Sequence, residues 1–359
     1  MKLGIVIGRF QPVHIGHIML IKQAIKQSHH VLIFLGSSFE PSTVKNPFSV
    51  QQRSELIRLG LTDQEYSRIS FMTIKDSPYS DATWISSINR TIKHFKSVNC
   101  NKYTETTLFA CEKDDATAKY LAFFKDEWVC ELVSTTMYNN KLTSSTHIRD
   151  ILFSQGLLSD VHLDMQQYNR KQLDFFMDWV VTPEFHNIQQ DYDYYKQYNK
   201  IWELAPFHPI FVTCDSIVIC NEHILLIKRG KTPGKGLYAL PGGFLEHDET
   251  IRDGVFRELF EETKLNKNVP KNKLINCLQC IKQFDYPKRS LRGRVITNVG
   301  VFYMTEKELP TVIGSDDAAS AHWIHIKDIY FLQDKCFDDH YHIISNILQS
   351  YTSEGIKHV

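Results

Sequence analysis

The first 160 residues alternate short apolar runs with amphipathic segments, and this alternation restricts the fold more than any other property of the chain. "LGIVI" (Leu3–Ile7), "HVLIFLG" (His30–Gly36), "ISFMTI" (Ile69–Ile74), "TLFA" (Thr107–Ala110) and "WVCEL" (Trp128–Leu132) read as buried strands. Between them lie helical patterns such as Ile18–Gln27 and Val50–Leu59. The second opens with a capping box, Ser49 followed three residues later by Gln52. Strand, helix and strand at this spacing predict βαβ units around a parallel sheet. Sheets of that kind bind ligands beyond the C-terminal ends of their strands.

The pattern then changes twice. Residues 161–204 predict a helical connector, with Phe185, Ile188, Tyr192, Tyr195 and Trp202 close to helical spacing. Its tyrosines are expected to pack between domains rather than to bind a ligand. Residues 205–359 predict an α+β domain with strands at Ile210–Cys220, His223–Ile227, Leu274–Gln283, Arg294–Met304 and Ala321–Ile324. One helix follows "LPGGFLE" and another, Asp338–Leu348, closes the domain.

Composition narrows the partners. Lysine plus arginine and aspartate plus glutamate number 41 each, so net charge gives no case for binding nucleic acid or a membrane surface. No apolar stretch reaches the ~18–20 residues of a membrane span. The N-terminal apolar run is too short for a signal peptide and is interrupted by Arg9. The eight cysteines are scattered, apart from Cys277 and Cys280. That lone C-x-x-C lacks a second pair at zinc spacing and is read as two buried free thiols. A reducing, cytoplasmic setting is the expectation. A homo-oligomer is left open.

"GRFQPVHIGHIML" (Gly8–Leu20) ends the first strand and starts a helix. Unpaired N–H groups and a positive dipole at such a start suit phosphate. Gly8 and Gly16 allow close backbone approach. His14 and His17, three apart, can face the same way and donate to phosphate oxygens as charge builds. "TSSTHIRD" (Thr143–Asp150) places Ser144, Thr146 and Arg149 at a second helix start, a further phosphate cradle. The alternative is an ordinary βα turn and a solvent-facing arginine.

H-x-G-H followed by S-x-T-x-x-R resembles the nucleotidyltransferase superfamily. With "DSPYSDATW" (Asp76–Trp84) and "EKDDA" (Glu112–Ala116), the segment is similar to the archaeal-type nicotinamide mononucleotide adenylyltransferases. The resemblance implies a Rossmann-like parallel-sheet domain over residues 1–160 that joins nicotinamide mononucleotide to ATP. It implies that Gly8, Arg9, Phe10, Gly16, Ser144 and Thr146 bind ATP. His14, His17 and Arg149 would act on its phosphates, with magnesium or manganese bridging phosphate oxygens. Asp81 and Trp84 would meet the mononucleotide, Trp84 by stacking on the nicotinamide ring. The alternative for Trp84 is a core tryptophan.

"GGFLEHDETIRDGVFRELFEETKL" carries the stronger pattern. Gly243, Glu249, Arg257, Glu258, Glu261 and Glu262 stand at the spacing G-x5-E-x7-R-E-x-x-E-E. Glu258, Glu261 and Glu262 share one helix face, where three carboxylates repel unless a cation lies among them. Hard oxygen donors favour magnesium or manganese. Arg257 can brace the carboxylates while Leu259 buries. The pattern resembles the Nudix box, with Lys264 where the family has glycine; lysine there predicts a different helix cap. The resemblance implies metal-dependent hydrolysis of a nucleoside diphosphate derivative by Glu258 and Glu262.

"FDYPKRSLRGRV" (Phe284–Val295) and "GSDDAASAHW" (Gly314–Trp323) are similar to the ADP-ribose pyrophosphatase branch. Arg292 and Arg294 read either as ADP-ribose contacts or as surface charges on a hairpin. Both domains in this order resemble bifunctional nicotinamide mononucleotide adenylyltransferase/ADP-ribose pyrophosphatases. The expected architecture is an N-terminal nucleotidyltransferase domain plus a C-terminal α+β Nudix domain, with ATP, nicotinamide mononucleotide and ADP-ribose as substrates. The alternatives are a transferase for another phosphate acceptor, or a Nudix domain that binds ADP-ribose as a regulator. The regulator reading needs degraded carboxylates and a DNA-binding module; the three glutamates are intact and no basic recognition helix is evident.

Overall fold

The computed structural model describes residues 1–111, 121–133, 137–138, 141–142, 144–155 and 167–353. The segment "EKDDA" and Thr143 lie outside them. The chain divides into two compact units, Met1–Gln189 and Gln190–Val359.

In the first unit, among the described residues, strands β1 (Lys2–Gly8), β2 (His30–Leu35), β3 (Ile69–Thr73), β4 (Glu105–Cys111) and β5 (Val129–Val133) form a wholly parallel sheet. Its order is β3-β2-β1-β4-β5. Leu3, Ile5 and Val31 to Leu35 are fully buried, as strands covered on both faces must be. Helix α1 (Ile15–Gln27) links β1 to β2 and buries Ile18, Leu20, Ile21, Ala24 and Ile25. Helices α2 (Val50–Leu59) and α3 (Asp63–Tyr66) precede β3, and α4 (Asp81–Val98) precedes β4.

The expected capping box starts α2: Ser49 Oγ accepts from Gln52 N at 3.2 Å and Gln52 Oε1 accepts from Ser49 N at 2.7 Å. Such caps contribute about 1 kcal/mol. The strand order reverses between β1 and β4, which opens a crevice beyond the C-terminal end of β1. Gly8, the last residue of β1, therefore delivers the H-x-G-H loop to the place where a doubly wound sheet takes its ligand.

A short hairpin, β6 (Met137–Tyr138) with β7 (Lys141–Leu142), precedes α5 (Ser145–Gln155). Helices α6 (Arg170–Val180) and α7 (Pro183–Trp202) follow. Trp179 packs against Phe48 at 4.3 Å with tilted rings and meets Phe185 edge-on at 5.1 Å. The division between the units falls inside α7. Its early turns belong to the first unit, where Gln189 Nε2 donates to Phe153 O at 3.0 Å. Its later turns belong to the second, where Gly234 N donates to Asp191 and Trp202 packs on Phe211. Tyr192 and Tyr195 are buried; Trp202 is exposed.

The second unit is built on β8 (Ile210–Cys220), β9 (His223–Arg229), β10 (Tyr238–Ala239) and β11 (Gly242–Phe244), then α8 (Ile251–Thr263) and α9 (Lys271–Cys277). Strands β12 (Leu278–Phe284), β13 (Arg294–Met304) and β14 (Ala318–His325) follow, then a 3-10 helix, Ile326–Lys335, and α10 (His340–Ser353). The mixed sheet runs β10-β9-β8-β13-β12, with β11 beside β8 and β14 beside β9. Helix α8 buries Val255, Phe256 and Leu259 against Val218, Leu225 and Phe302.

Two expectations are corrected here. Leu274–Cys277 is helix, not strand, because Pro270 (φ −56°) starts a turn and Leu274 and Leu278 stand four apart. Cys277 and Cys280 are free, but Cys280 is exposed and Cys277 half-buried; β12 turns Cys280 to solvent. Among the described residues, no helix is long and apolar enough to cross a membrane.

Candidate active sites

The Gly8–His17 loop is fastened by its carbonyl oxygens. Gly36 N donates to Gly8 O at 2.8 Å. Arg53 Nη1 donates to Arg9 O and Gly36 O, both at 2.6 Å. Arg149 Nη1 donates to Gln11 O, and Ser145 Oγ to Pro12 O at 2.9 Å. The Gln11 side chain is itself buried and pairs with the backbone N and O of Phe48. Acceptors turned into the protein leave the outer side of the loop suited to an anion.

The side chain of Phe10 stands beside Gly8. Phe10 adopts a left-handed conformation (φ 55°), and its ring stands 3.0 Å from where a Gly8 Cβ would be. Any larger residue at position 8 would press on that ring, which would have to give by a few tenths of an ångström. Gly16 is the second residue of α1.

His14 occupies the N-cap of α1 and is buried; His17 sits at N3. The two rings stack at 3.7 Å, and Phe10 meets His17 edge-on at 4.8 Å. His17 Nδ1 accepts from His14 N at 3.2 Å, which places the neutral ring's proton on Nε2. The outer nitrogen is thus a donor.

Arg149 is buried, and burial with the neighbouring Arg9 cation lowers its pKa to about 10. It remains protonated at neutral pH. Arg9 is exposed. Two guanidinium groups held near one another favour an anion beside them. Ser144 Oγ accepts from His147 N at 3.5 Å, and Thr146 Oγ1 accepts from Arg149 Nη2 at 3.2 Å. Asp81 is exposed at the start of α4; Trp84, one turn on, is half-buried in the core cluster beside Phe124.

Sequence reasoning missed Arg53. A charged residue on the buried face of α2, with Leu56 and Ile57, was the available signal.

In the second unit, β11 and α8 build the other site. A Cβ on Gly243 would stand 2.4 Å from Glu258 Oε1, so only glycine lets the strand lie against that carboxylate. Gly242 N donates to Glu262 Oε2 at 2.9 Å. Arg257 ties the remaining carboxylates together. It clasps Glu249 at 2.6 and 2.9 Å, and its Nη1 reaches Glu258 at 2.8 Å and Glu261 at 3.1 Å. Its Nη2 also donates to Phe244 O at 3.0 Å. Glu249 is held below its ordinary pKa chiefly by Arg257.

Burial dominates Glu258 and Glu262. It raises Glu258 to about 7 against the pull of Arg257, and Glu262 to about 8 against the Gly242 hydrogen bond. Among the described residues, no three side chains already converge as a ready ligand set, since Arg257 draws Glu258 and Glu261 to itself. Buried carboxylate oxygens with raised pKa values nonetheless have the chemistry of a divalent-cation site. Glu258 and Glu262 supply such oxygens, and the half-exposed Glu261 adjoins them through Arg257.

Protonation sets a test. Raised carboxylates stabilise the fold below their unfolded pKa of about 4.5, and that contribution is lost as pH rises through about 7 to 8. Without divalent cation, the melting temperature of the second unit should fall between pH 6 and pH 9. Added magnesium or manganese should raise it more at pH 9 than at pH 6, because fewer protons must leave. Calorimetry with and without chelator reads both; a cation effect larger at pH 6 contradicts this protonation scheme.

Arg292 and Arg294 part company. The Arg292 guanidinium lies over Phe244 at 4.9 Å and Phe337 at 5.9 Å, so it adjoins the strand whose carbonyl takes Arg257. Arg294 instead pairs with the Asp285 carboxylate at 3.6 Å and its carbonyl. Asp215, buried on β8 opposite Gly242, went unnoticed. A single aspartate within an apolar strand was its signal.

Lys264 does not use a different cap. It takes the left-handed cap conformation (φ 52°, ψ 22°) that glycine would adopt, with its N–H on Phe260 O. A side chain there costs about 1–2 kcal/mol, offset in part by glycine's larger chain entropy, about 0.5–1 kcal/mol. Lys264→Gly should raise the unit's melting temperature by about 2–4 °C and leave hydrolysis unchanged. A lower melting temperature by calorimetry contradicts this account.

A doubly wound sheet with a histidine pair at its switch point, followed by a carboxylate-bearing helix on a mixed sheet, defines a nucleotidyltransferase fused to a Nudix hydrolase fold. Family models agree: cytidylyltransferase-like over residues 5–151 and NUDIX domain over residues 212–347. The ADP-ribose pyrophosphatase of Methanocaldococcus jannaschii is 36% identical over 142 residues, 40% of this chain and 75% of that protein. The nicotinamide/nicotinic acid mononucleotide adenylyltransferase of Acinetobacter baylyi is 32% identical over 128 residues, 36% of this chain and 65% of that protein. A bifunctional NMN adenylyltransferase/ADP ribose pyrophosphatase from Francisella tularensis, solved with AMP and manganese, superposes with a TM-score of 0.87. It is 32% identical over 97% of this chain and 99% of that one. The chain belongs to the family of bifunctional NMN adenylyltransferase/ADP-ribose pyrophosphatases.

Proposed function

We propose that the first unit transfers the adenylyl group of ATP to nicotinamide mononucleotide, giving NAD and pyrophosphate. The second unit hydrolyses ADP-ribose to AMP and ribose 5-phosphate. The observation that carries this reading is the pairing of a fastened, histidine-bearing loop at a sheet switch point with the Glu258, Glu261 and Glu262 helix.

In the first reaction a phosphate oxygen of the mononucleotide attacks the α-phosphorus, and the bond to pyrophosphate breaks. No protein nucleophile is needed, so positioning and charge stabilisation supply the rate. His17 Nε2–H and His14 donate to the phosphates, Arg9 and Arg149 neutralise them, and Gly8, Phe10, Gly16, Ser144 and Thr146 shape the cradle. Asp81 and Trp84 receive the mononucleotide. In the second reaction a water oxygen attacks a diphosphate phosphorus and the bridging P–O bond breaks. Magnesium or manganese held by Glu258, Glu261 and Glu262 would lower the pKa of that water and neutralise phosphate charge. Arg257 would orient the carboxylates, and Arg292, over Phe244, would meet the substrate; Arg294, paired with Asp285, would contribute less. Free thiols throughout support a reducing, cytoplasmic setting.

Product analysis tests the reading: ATP with a panel of phosphate acceptors, and ADP-ribose separately, each with magnesium and then manganese. The expected products are NAD with pyrophosphate, and AMP with ribose 5-phosphate. A dinucleotide from another acceptor but none from nicotinamide mononucleotide overturns the first assignment. ADP-ribose bound but uncleaved overturns the second.

A further inference from the structure

His14 is bracketed by two consecutive residues that lie beyond the matched nucleotidyltransferase segment. The Tyr168 hydroxyl donates to Val13 O at 2.6 Å, and Gln167 Oε1 accepts from Ile15 N at 3.1 Å. The peptide groups on either side of His14 are therefore held from one short stretch. That stretch is itself anchored. Asn169 caps α6 and donates its Nδ2 to Leu59 O at 2.6 Å, while Gln172 Nε2 donates to Leu56 O at 3.0 Å. Tyr168 is buried and packs edge-on against Phe176 at 5.0 Å. Burial pushes its hydroxyl pKa up, so it stays a donor across the working range.

Fixing Val13 O and Ile15 N fixes the extended backbone of His14 (φ −140°, ψ 171°), and with it the ring that stacks on His17. We infer that Gln167 and Tyr168 are positioning residues for adenylyl transfer, acting through the His14–His17 pair. The inference rests on the adenylyl-transfer reading above. A catalytic donor displaced by about 1 Å loses on the order of 10²-fold in rate, so a clamp on the peptide groups flanking His14 bears on kcat rather than on substrate binding.

The test uses the full-length protein. Tyr168→Phe removes one oxygen, Gln167→Ala removes the acceptor, and Gln167→Glu keeps it. Per folded molecule, Tyr168→Phe and Gln167→Ala should lower kcat for NAD synthesis by about 10- to 100-fold, with KM for ATP little changed. Gln167→Glu should retain most of the activity, and all three should hydrolyse ADP-ribose as the parent does. In 15N-imidazole spectra, the His14 and His17 signals should shift in the first two variants. A loss that vanishes once corrected for folded fraction, or that appears in KM alone, overturns the inference. If the parent protein makes no NAD, the reaction assignment is wrong. The imidazole spectra then decide the clamp, and unchanged His14 and His17 signals in Tyr168→Phe overturn it.

Discussion

His17→Ala is expected to lower NAD synthesis by about 10²–10³-fold while ADP-ribose hydrolysis is unchanged. Its Nδ1 is committed to His14 N, so on the proposed reading the Nε2 proton would be the one this ring offers to a phosphate. Removing a preorganised donor leaves the developing charge to water, which must reorganise to meet it. The loss should fall on kcat, because a donor whose bond strengthens as charge builds contributes most in the transition state. His17→Gln, which keeps an N–H, should recover part of the rate. Coupled assays for pyrophosphate and for AMP on the same preparation read both activities; equal loss of both would show that the variant had unfolded or that the units depend on one another.

Glu262→Gln is expected to do the reverse. Hydrolysis should fall by about 10²–10⁴-fold, whether the lost carboxylate held the cation or took the proton from water. The geometry makes this a clean substitution. Gly242 N donates to Glu262 Oε2, and a glutamine oxygen can accept the same bond. The variant removes a buried ionisable group raised to about 8, so the metal-free second unit should also lose part of its pH dependence of stability. Isothermal titration with manganese should show weakened binding. Unchanged hydrolysis would remove Glu262 from the chemistry.

Both candidate sites were legible in the chain because their spacings are local. Glu258, Glu261 and Glu262 fall on one face of any helix, and buried strands of a parallel sheet announce themselves as short apolar runs. Helix α2 could be bounded at both ends from its cap and its periodicity alone. Other features depend on contacts between residues far apart in sequence. Arg53 fastens Arg9 across 44 residues, and Ser145 fastens Pro12 across 133. No period or propensity records such partnerships. Phe10 is a further case, since a left-handed phenylalanine that fills its own glycine's space has no signature beyond that glycine. Lys264 misled for the opposite reason: the family's glycine implies a conformation, and the backbone kept the conformation after the residue changed.

The division between the units falls between Gln189 and Gln190, in the middle of α7. Phe185 and Gln189 are satisfied on one side of that point, and Asp191, Tyr195 and Trp202 on the other. A chain stopped or started there would carry half a helix with no continuation. The consequence lies in supply. Each act of translation yields one copy of both catalysts, so neither promoter strength nor message lifetime can change their ratio. Any adjustment of one output against the other has to be made in the kinetic constants of the sites themselves.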